Sequence, residues 1–244
     1  MDREYNQDMI AEHVLIYGLP EGWKSNPDYV YCGRPGKGMS GYWGNPIEMN
    51  VECPICEKTH TEGGDTLKCY EYYASMRLKG DPEFKSKLKA LAGKKLVCFC
   101  KDSTKCHVSI MIELIEKLLR QEQFDCSAKL IFADSRANLS SASDSHFKLP
   151  ESQKIINMGI EIVPAILEHY DKYGCGWHCF LHHLVPASIA PVLPEEDRGY
   201  VNKIRTMWLQ WGVDQGHLSS YTDEFPDSEW KAYCFGARSG ILDQ

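Results

Sequence analysis

The chain has 244 residues, of which 43% are hydrophobic and 25% charged, and its formal net charge is −7. These values are typical of a globular protein of one or two domains, and the acidic balance argues against a protein that coats nucleic acid non-specifically. No apolar run approaches the roughly 20 residues that a membrane-spanning helix needs. The acidic, polar first residues are unlike a signal peptide. We therefore expect a cytoplasmic protein with no membrane partner.

The first half of the chain alternates strand-like and helix-like segments. Residues 29–34 have the β-forming residues of a short strand, and a loop rich in glycine and proline follows. Apolar residues at helical spacing predict two helices within residues 66–92. The apolar run at residues 94–100 predicts a buried strand, and residues 106–121 predict an amphipathic helix. This order indicates an α/β domain over residues 1–126, with a small parallel or mixed sheet.

The second half is set apart by a serine-rich stretch. Residues 127–150 are weakly patterned, and we predict that they form a linker. Beyond it, residues 151–244 predict a mainly α-helical domain. Isoleucines recur there at near-helical spacing, and Gly174 is a natural helix end.

The chain contains 11 cysteines, an unusually large number. In the cytoplasm thiols stay reduced, so clustered cysteines indicate metal binding or catalysis rather than disulfides. The first cluster has the spacing C-x2-C-x3-H-x8-C, and its nitrogen and sulfur atoms suit a tetrahedral structural zinc. The predicted ligands are Cys53, Cys56, His60 and Cys69. The alternative is a surface loop with two idle thiols.

The second cluster lies in residues 96–107, "LVCFCKDSTKCH". On a strand Cys98 and Cys100 share a face, while Cys106 and His107 would open the next helix. Free N–H groups at a helix start lower a thiol pKa and favour a bound anion. Three interpretations stay open: a reactive or ligand-contacting thiol site, a metal cluster of these four residues, and simple burial. In the first, Cys98 or Cys106 is the catalytic nucleophile and His107 the acid or base.

The glycine-rich loop after the first strand suits an anionic ligand. Its backbone N–H groups can approach a phosphate, and Arg34 can form a bidentate contact with one. Residues 77–105 contain nine Lys and Arg residues but only three acids. This local positive charge indicates either a solvated helix surface or a phosphate-attracting rim. The predicted ligand-binding residues are Gly33, Arg34, Gly36, Lys37, Trp43, Asn45 and Cys100.

Taken in order, these motifs resemble domain-of-unknown-function family 4326 of phage and bacterial proteins over about residues 29–118. The resemblance rests on Gly33-Arg34, Trp43-Gly44-Asn45-Pro46, Cys98, Cys100 and Cys106-His107. The family usually continues C-H-G-D, whereas Val108 and Ser109 stand here. Residues 151–218 resemble a short helical domain of phage and mobile-element proteins. Both resemblances imply an architecture and a phage-like context, in a host bacterium's cytoplasm, but no reaction.

The motifs lead to two expectations about function. Open α/β sheets bind ligands at the carboxyl ends of their strands, so the Gly33–Arg34 loop and residues 98–107 should meet there. The first expectation is a phage-type accessory protein that binds a nucleotide, another phosphate-bearing ligand or a nucleic-acid end, with or without thiol chemistry. The alternative is a non-catalytic, zinc-stabilised binding or inhibitor protein that sequesters a host factor or a signalling nucleotide.

Overall fold

The computed structural model describes residues 10–36, 38–133, 146–174 and 176–223. The chain forms two compact units, Met1–Leu119 and Arg120–Gln244. The first contains a small parallel sheet with helices, and the second is mainly helical. The predicted fold class is therefore confirmed.

Three short strands form the sheet of the N-terminal unit: β1 (Glu12–Leu15), β2 (Tyr29–Tyr31) and β3 (Lys95–Cys98). All pairings are parallel, in the order β1-β3-β2. The central β3 is buried from its second residue to its last, which explains its continuous apolar sequence. The sequence indicated β2 and β3 but not β1, because β1 places only two apolar residues beside a glutamate and a histidine.

The helices of this unit are α1 (Leu67–Gly80), α2 (Pro82–Lys89) and the first part of α3 (His107–Ala133). Helix α2 begins after Asp81, whose side chain accepts a 2.9 Å hydrogen bond from the backbone N–H of Phe84. Such an N-cap satisfies a donor that the helix leaves free. The helices and the sheet enclose one apolar core, formed by Tyr70, Ala74, Phe84, Leu88, Leu96, Cys98, Cys106, Met111 and Ile115, among others.

Helix α3 continues through residues 127–133, which the sequence had assigned to the linker. Ala128, Ile131 and Phe132 are buried in the C-terminal core, and this burial favours the helix over a solvated linker. The predicted linker start at residue 127 is thus corrected to a position after α3. The serine-rich residues 134–145 lie outside the described part of the chain.

In the described part of the C-terminal unit, four further helices follow: α4 (Pro150–Asn157), α5 (Val163–Tyr173), α6 (His178–Leu184) and α7 (Val201–Asp214). Helix α5 ends at Gly174, which has φ 65°. A glycine adopts this left-handed conformation without the penalty of a Cβ atom, as the sequence predicted. Within the described residues, no helix combines the length and the apolar character needed to cross a bilayer.

Candidate functional site

The carboxyl ends of β2 and β3 bring together the two motifs that were expected to meet there, the Gly33–Arg34 loop and residues 98–107. The backbone N–H of Cys32, just after β2, donates to the carbonyl of Val97 in β3. The Nε2 atom of His107 lies 2.8 Å from the carbonyl oxygen of Cys32 and 3.2 Å from that of Trp43. Carbonyl oxygens only accept hydrogen bonds, so Nε2 carries the proton. His107 therefore joins the start of α3 to both predicted loops.

His107 itself is buried, with 6% of its surface exposed. Burial lowers the pKa of its imidazole, so the neutral ring is favoured. With Nε2 committed to two backbone carbonyls, the ring is placed to hold the loops rather than to exchange a proton with a ligand. The edge of the imidazole also contacts the ring of Tyr70 at 5.0 Å.

The glycine–arginine loop and the W-G-N-P loop touch backbone to backbone. A Cβ atom on Gly44 would lie 2.7 Å from the carbonyl oxygen of Gly33, closer than two such atoms can approach. The guanidinium of Arg34 crosses the same contact. Its Nε donates to the carbonyl of Asn45 at 3.1 Å and its Nη2 to the carbonyl of Ile47 at 2.5 Å. Arg34 thus fixes the second loop while its side chain stays exposed.

Two predicted ligand-binding residues point into the protein. The Asn45 side chain is buried, donates to Thr66 Oγ1 at 3.0 Å and accepts from the backbone N–H of Ile47 at 2.9 Å. Thr66 directly precedes α1, so Asn45 ties the loop to that helix. Trp43 is half-buried and its ring lies 5.5 Å from that of Phe84. Both residues shape the loop from inside.

An open cleft of about 270 Å³ lies at the carboxyl edge of the sheet. It is lined by Tyr31, Arg34, Pro35, Gly36, Met39 and Phe99. The ring of Phe99 stands edge-on between those of Tyr17 and Tyr31, with both centroids 6.0 Å away. Lys37, the remaining predicted residue of this loop, lies outside the described residues.

The sequence analysis missed these aromatic residues. Tyr31 is the last residue of β2, Phe99 follows β3, and Tyr17 comes two residues after β1. Tyr17 is 64% exposed and Phe99 39% exposed. An aromatic residue at the end of each strand was a readable signal once all three strands were known.

The first cysteine cluster converges as predicted. One ligand atom from each of Cys53, Cys56, His60 and Cys69 lies within 4.8 Å of the others, so these residues could hold a metal ion. The Nε2 atom of His60 is 3.5 Å from the sulfur of Cys56 and 3.5 Å from that of Cys69. A tetrahedral zinc with bonds of about 2.3 Å to sulfur and 2.05 Å to nitrogen would separate these atoms by about 3.6 Å.

The backbone of this cluster also favours a thiolate. Burial by itself would raise the pKa of Cys53, but the backbone N–H groups of Cys56 and Ile55, together with the side chains of His60 and Cys69, lower that pKa. The turn is closed by the N–H of Glu57, which donates to the carbonyl of Cys53 at 2.9 Å. A tight turn with amides directed at a sulfur is suited to a metal-bound thiolate.

The second cluster brings three thiols together. The sulfurs of Cys98 and Cys100 are 3.6 Å apart, and the sulfur of Cys106 lies within 4.8 Å of that of Cys98. The neighbouring thiols of Cys100 and Cys106 lower the pKa of Cys98, whereas those of Cys100 and Cys98 raise the pKa of Cys106. Cys106 has no exposed surface and Cys98 only 3%, whereas Cys100 is half-buried. The two predicted nucleophiles therefore lie beneath the surface.

His107 does not complete this thiol group. Among the described residues, the histidine whose ring nitrogen converges with the sulfurs of Cys98 and Cys106 is His13 in β1. The alternative of a metal cluster that includes His107 is thus corrected. The reason is that the Nε2–H of His107 is directed at two backbone carbonyls.

The basic stretch of residues 77–105 is partly neutralised by nearby acids. Ion pairs join its Arg77 to Asp81, Lys87 to Glu83 and Lys94 to Asp28. Lys101 and Lys105 are exposed in the turn between β3 and α3. This turn therefore places two exposed cations next to Cys100 and Cys106 in the chain.

The N-terminal unit is thus a small α/β domain whose sheet edge carries a cysteine-rich site. Residues 19–117 match the model of the family described as Domain of unknown function (DUF4326). This match confirms the resemblance found in the sequence and covers β2, β3 and the cysteine clusters. No significant match to a curated protein or to a solved structure was found. The resemblance of residues 151–218 to a phage-type helical domain stays a prediction.

Proposed function

We propose that the N-terminal unit binds a nucleotide unit, free or at the end of a nucleic-acid strand, without using its thiols for catalysis. The observation that carries this proposal is the cleft at the carboxyl edge of the sheet. There a fixed guanidinium, Arg34, stands beside exposed aromatic rings. A cleft in this position is a common ligand site in open α/β sheets.

The aromatic residues supply the contact with a base. Stacking on an exposed aromatic side chain contributes about 1–3 kcal/mol per base and suits every base, because each has a π-face. Phe99 meets Tyr17 and Tyr31 edge-on, at interplanar angles of 69° and 83°. Phe99 and Tyr17 are exposed enough for a base to reach their rings.

Arg34 supplies the contact with a phosphate. Two of its nitrogens are held by backbone carbonyls, and within the described residues Nη1 has no hydrogen-bond partner. A guanidinium held in place loses less conformational entropy when it binds a phosphate oxygen. Lys101 and Lys105 in the nearby turn add positive charge for an approaching anion.

The burial of the thiols supports a binding role rather than nucleophilic chemistry. A nucleophile must reach the reacting atom of its substrate, and Cys98 and Cys106 are almost fully buried. His107, the predicted acid or base, is buried and committed to carbonyls. In this respect the proposal agrees with the second expectation from the sequence, a non-catalytic binding protein. A host factor as partner stays a prediction.

We further propose that the ion held by Cys53, Cys56, His60 and Cys69 is zinc. Three sulfurs and one imidazole nitrogen at tetrahedral spacing are the donor set that structural zinc prefers. Bound there, zinc would tie the loop before α1 to Cys69 inside that helix. Its binding free energy would then contribute directly to folding of this loop.

The nucleotide proposal is tested by measuring the affinity of the full chain for labelled probes. The panel holds mononucleotides and single-stranded oligonucleotides of DNA and RNA, each with and without a 5′-phosphate. We expect Phe99→Ala to weaken binding roughly 5- to 150-fold, the equivalent of one lost stacking contact. Tyr72→Ala is the matched control, because Tyr72 is also an exposed aromatic residue but lies on α1. Unchanged affinity in Phe99→Ala, or no binding of any probe, would overturn the proposal.

A further inference from the structure

The register of the sheet places a histidine of β1 above the second cysteine cluster. In the β1–β3 pair, His13 is opposite Leu96 and Leu15 is opposite Cys98. Side chains two residues apart on a strand share a face, so His13 and Cys98 project from the same side of the sheet. One ligand atom from each of His13, Cys98 and Cys106 lies within 4.8 Å of the other two.

A third sulfur lies beside this group, next to Cys98. The Sγ atoms of Cys98 and Cys100 are 3.6 Å apart. Two thiolates on a tetrahedral zinc, each about 2.3 Å from the ion, would be about 3.8 Å apart. Cys100 lies outside the set of His13, Cys98 and Cys106 atoms that are all within 4.8 Å of one another, and it adjoins that set through Cys98.

The ring of His13 gives an independent indication. Its Nε2 atom is buried and, within the described residues, has no hydrogen-bond partner. A buried polar atom left without a partner costs about 1–3 kcal/mol, and buried polar groups in proteins are almost always satisfied. An ion bound between the sulfurs and this nitrogen would remove that cost.

We propose that His13, Cys98, Cys100 and Cys106 bind a second zinc ion, distinct from the one at Cys53, Cys56, His60 and Cys69. On binding, the three thiols release their protons to solvent and the neutral imidazole donates a lone pair, which gives a four-coordinate Cys3His site. The ion joins β1, the end of β3 and the residue before α3. Phe99 lies between two of the ligands, so the same ion orients an aromatic ring of the cleft.

This inference does not depend on the nucleotide proposal. Metal binding can be present whether or not the cleft takes a nucleotide, and the two are measured separately. Beyond the cysteines, the site has no local sequence signature, because its histidine lies in β1, far from the cysteines in the sequence.

The test is the metal content of the full-length protein after gel filtration, measured by plasma mass spectrometry. We expect about two zinc ions per chain, one for each cluster. Cys53→Ser and Cys100→Ser should each remove one ion, and the double variant both. Cys126→Ser is the control, because Cys126 is exposed on α3 and should leave the zinc content unchanged. One zinc in the unmodified chain, lost completely in Cys53→Ser, would overturn the second site.

Substitution with Co²⁺ tests the histidine without changing any cysteine of the second site. Tetrahedral cobalt with thiolate ligands gives intense visible bands whose position depends on the donor set. In Cys53→Ser, which keeps only the second site, His13→Gln should shift or abolish those bands, while His183→Gln should not. His183 is exposed in the C-terminal unit. Identical spectra with and without His13 would show that it is not a ligand.

Discussion

The imidazole of His107 donates a 2.8 Å hydrogen bond to the backbone oxygen of Cys32, linking the first turn of α3 to the residue after β2. The same nitrogen reaches the carbonyl of Trp43 at 3.2 Å. The family motif C-H therefore supports the family motifs G-R and W-G-N-P through backbone contacts.

Replacing His107 should destabilise the N-terminal unit. His107→Ala leaves two buried carbonyls without their donor and opens a cavity, so we expect the free energy of unfolding to fall by roughly 2–4 kcal/mol. His107→Gln keeps an N–H donor and should cost less. Urea denaturation followed by circular dichroism measures both. Equal stability of His107→Ala and the unmodified chain would contradict the supporting role.

Adding a single methyl group tests the contact between the glycine–arginine loop and the W-G-N-P loop. Gly44→Ala places a Cβ 2.7 Å from the carbonyl oxygen of Gly33 and forces the loops apart. We expect a loss of roughly 1–3 kcal/mol in stability and weaker binding of any probe that occupies the cleft. Gly36→Ala is the matched control, because nothing lies within 4 Å of the Cβ it would add. A Gly44→Ala protein as stable as Gly36→Ala would show that the loops do not need this contact.

The sequence predicted the general fold of the N-terminal unit and the meeting of its two loop motifs at the sheet edge, but the structure places several of the predicted side chains differently. The Cys53–Cys69 ligands were readable because their spacing is local. Trp43 and Asn45 looked like ligand contacts, since a motif does not reveal which side chains are buried. The sequence analysis did not identify β1 and therefore did not identify His13. All four residues of this short strand pair with β3. Such long-range pairing leaves little trace in a single short segment.

A buried arginine, paired with a partly exposed aspartate, stabilises the C-terminal unit. The Arg205 side chain is 1% exposed, and its Nη2 donates to Asp171 Oδ1 at 2.8 Å. Arg205→Met removes this contact and also the donors to the backbone carbonyls of Tyr170, Asp171 and Thr222, so it should lower the free energy of unfolding by roughly 1–3 kcal/mol. Arg198→Met is the control, because the Arg198–Glu195 pair is largely exposed and contributes about 1 kcal/mol or less. Thermal and urea unfolding of the two variants give the comparison, and similar losses in both would contradict it.

The stability of the C-terminal unit should depend on pH through His169. Burial lowers the pKa of this histidine to about 3, and Lys172 adds to the effect. Its Nδ1 accepts a 3.0 Å hydrogen bond from Trp177 Nε1, which requires that nitrogen to be unprotonated. The unfolded chain, with a histidine pKa of about 6.5, binds the proton more readily.

The sign of the effect follows from this difference. Below about pH 6.5 the unfolded state takes up a proton that the folded state refuses until about pH 3, so stability falls as the pH falls through that range. The loss approaches about 1.4 kcal/mol per pH unit for one group. We expect His169→Gln to reduce the difference in unfolding free energy between pH 7 and pH 4, measured by urea denaturation. His183→Gln, at an exposed histidine, should keep the original difference. If both variants retain it, His169 is not the group responsible.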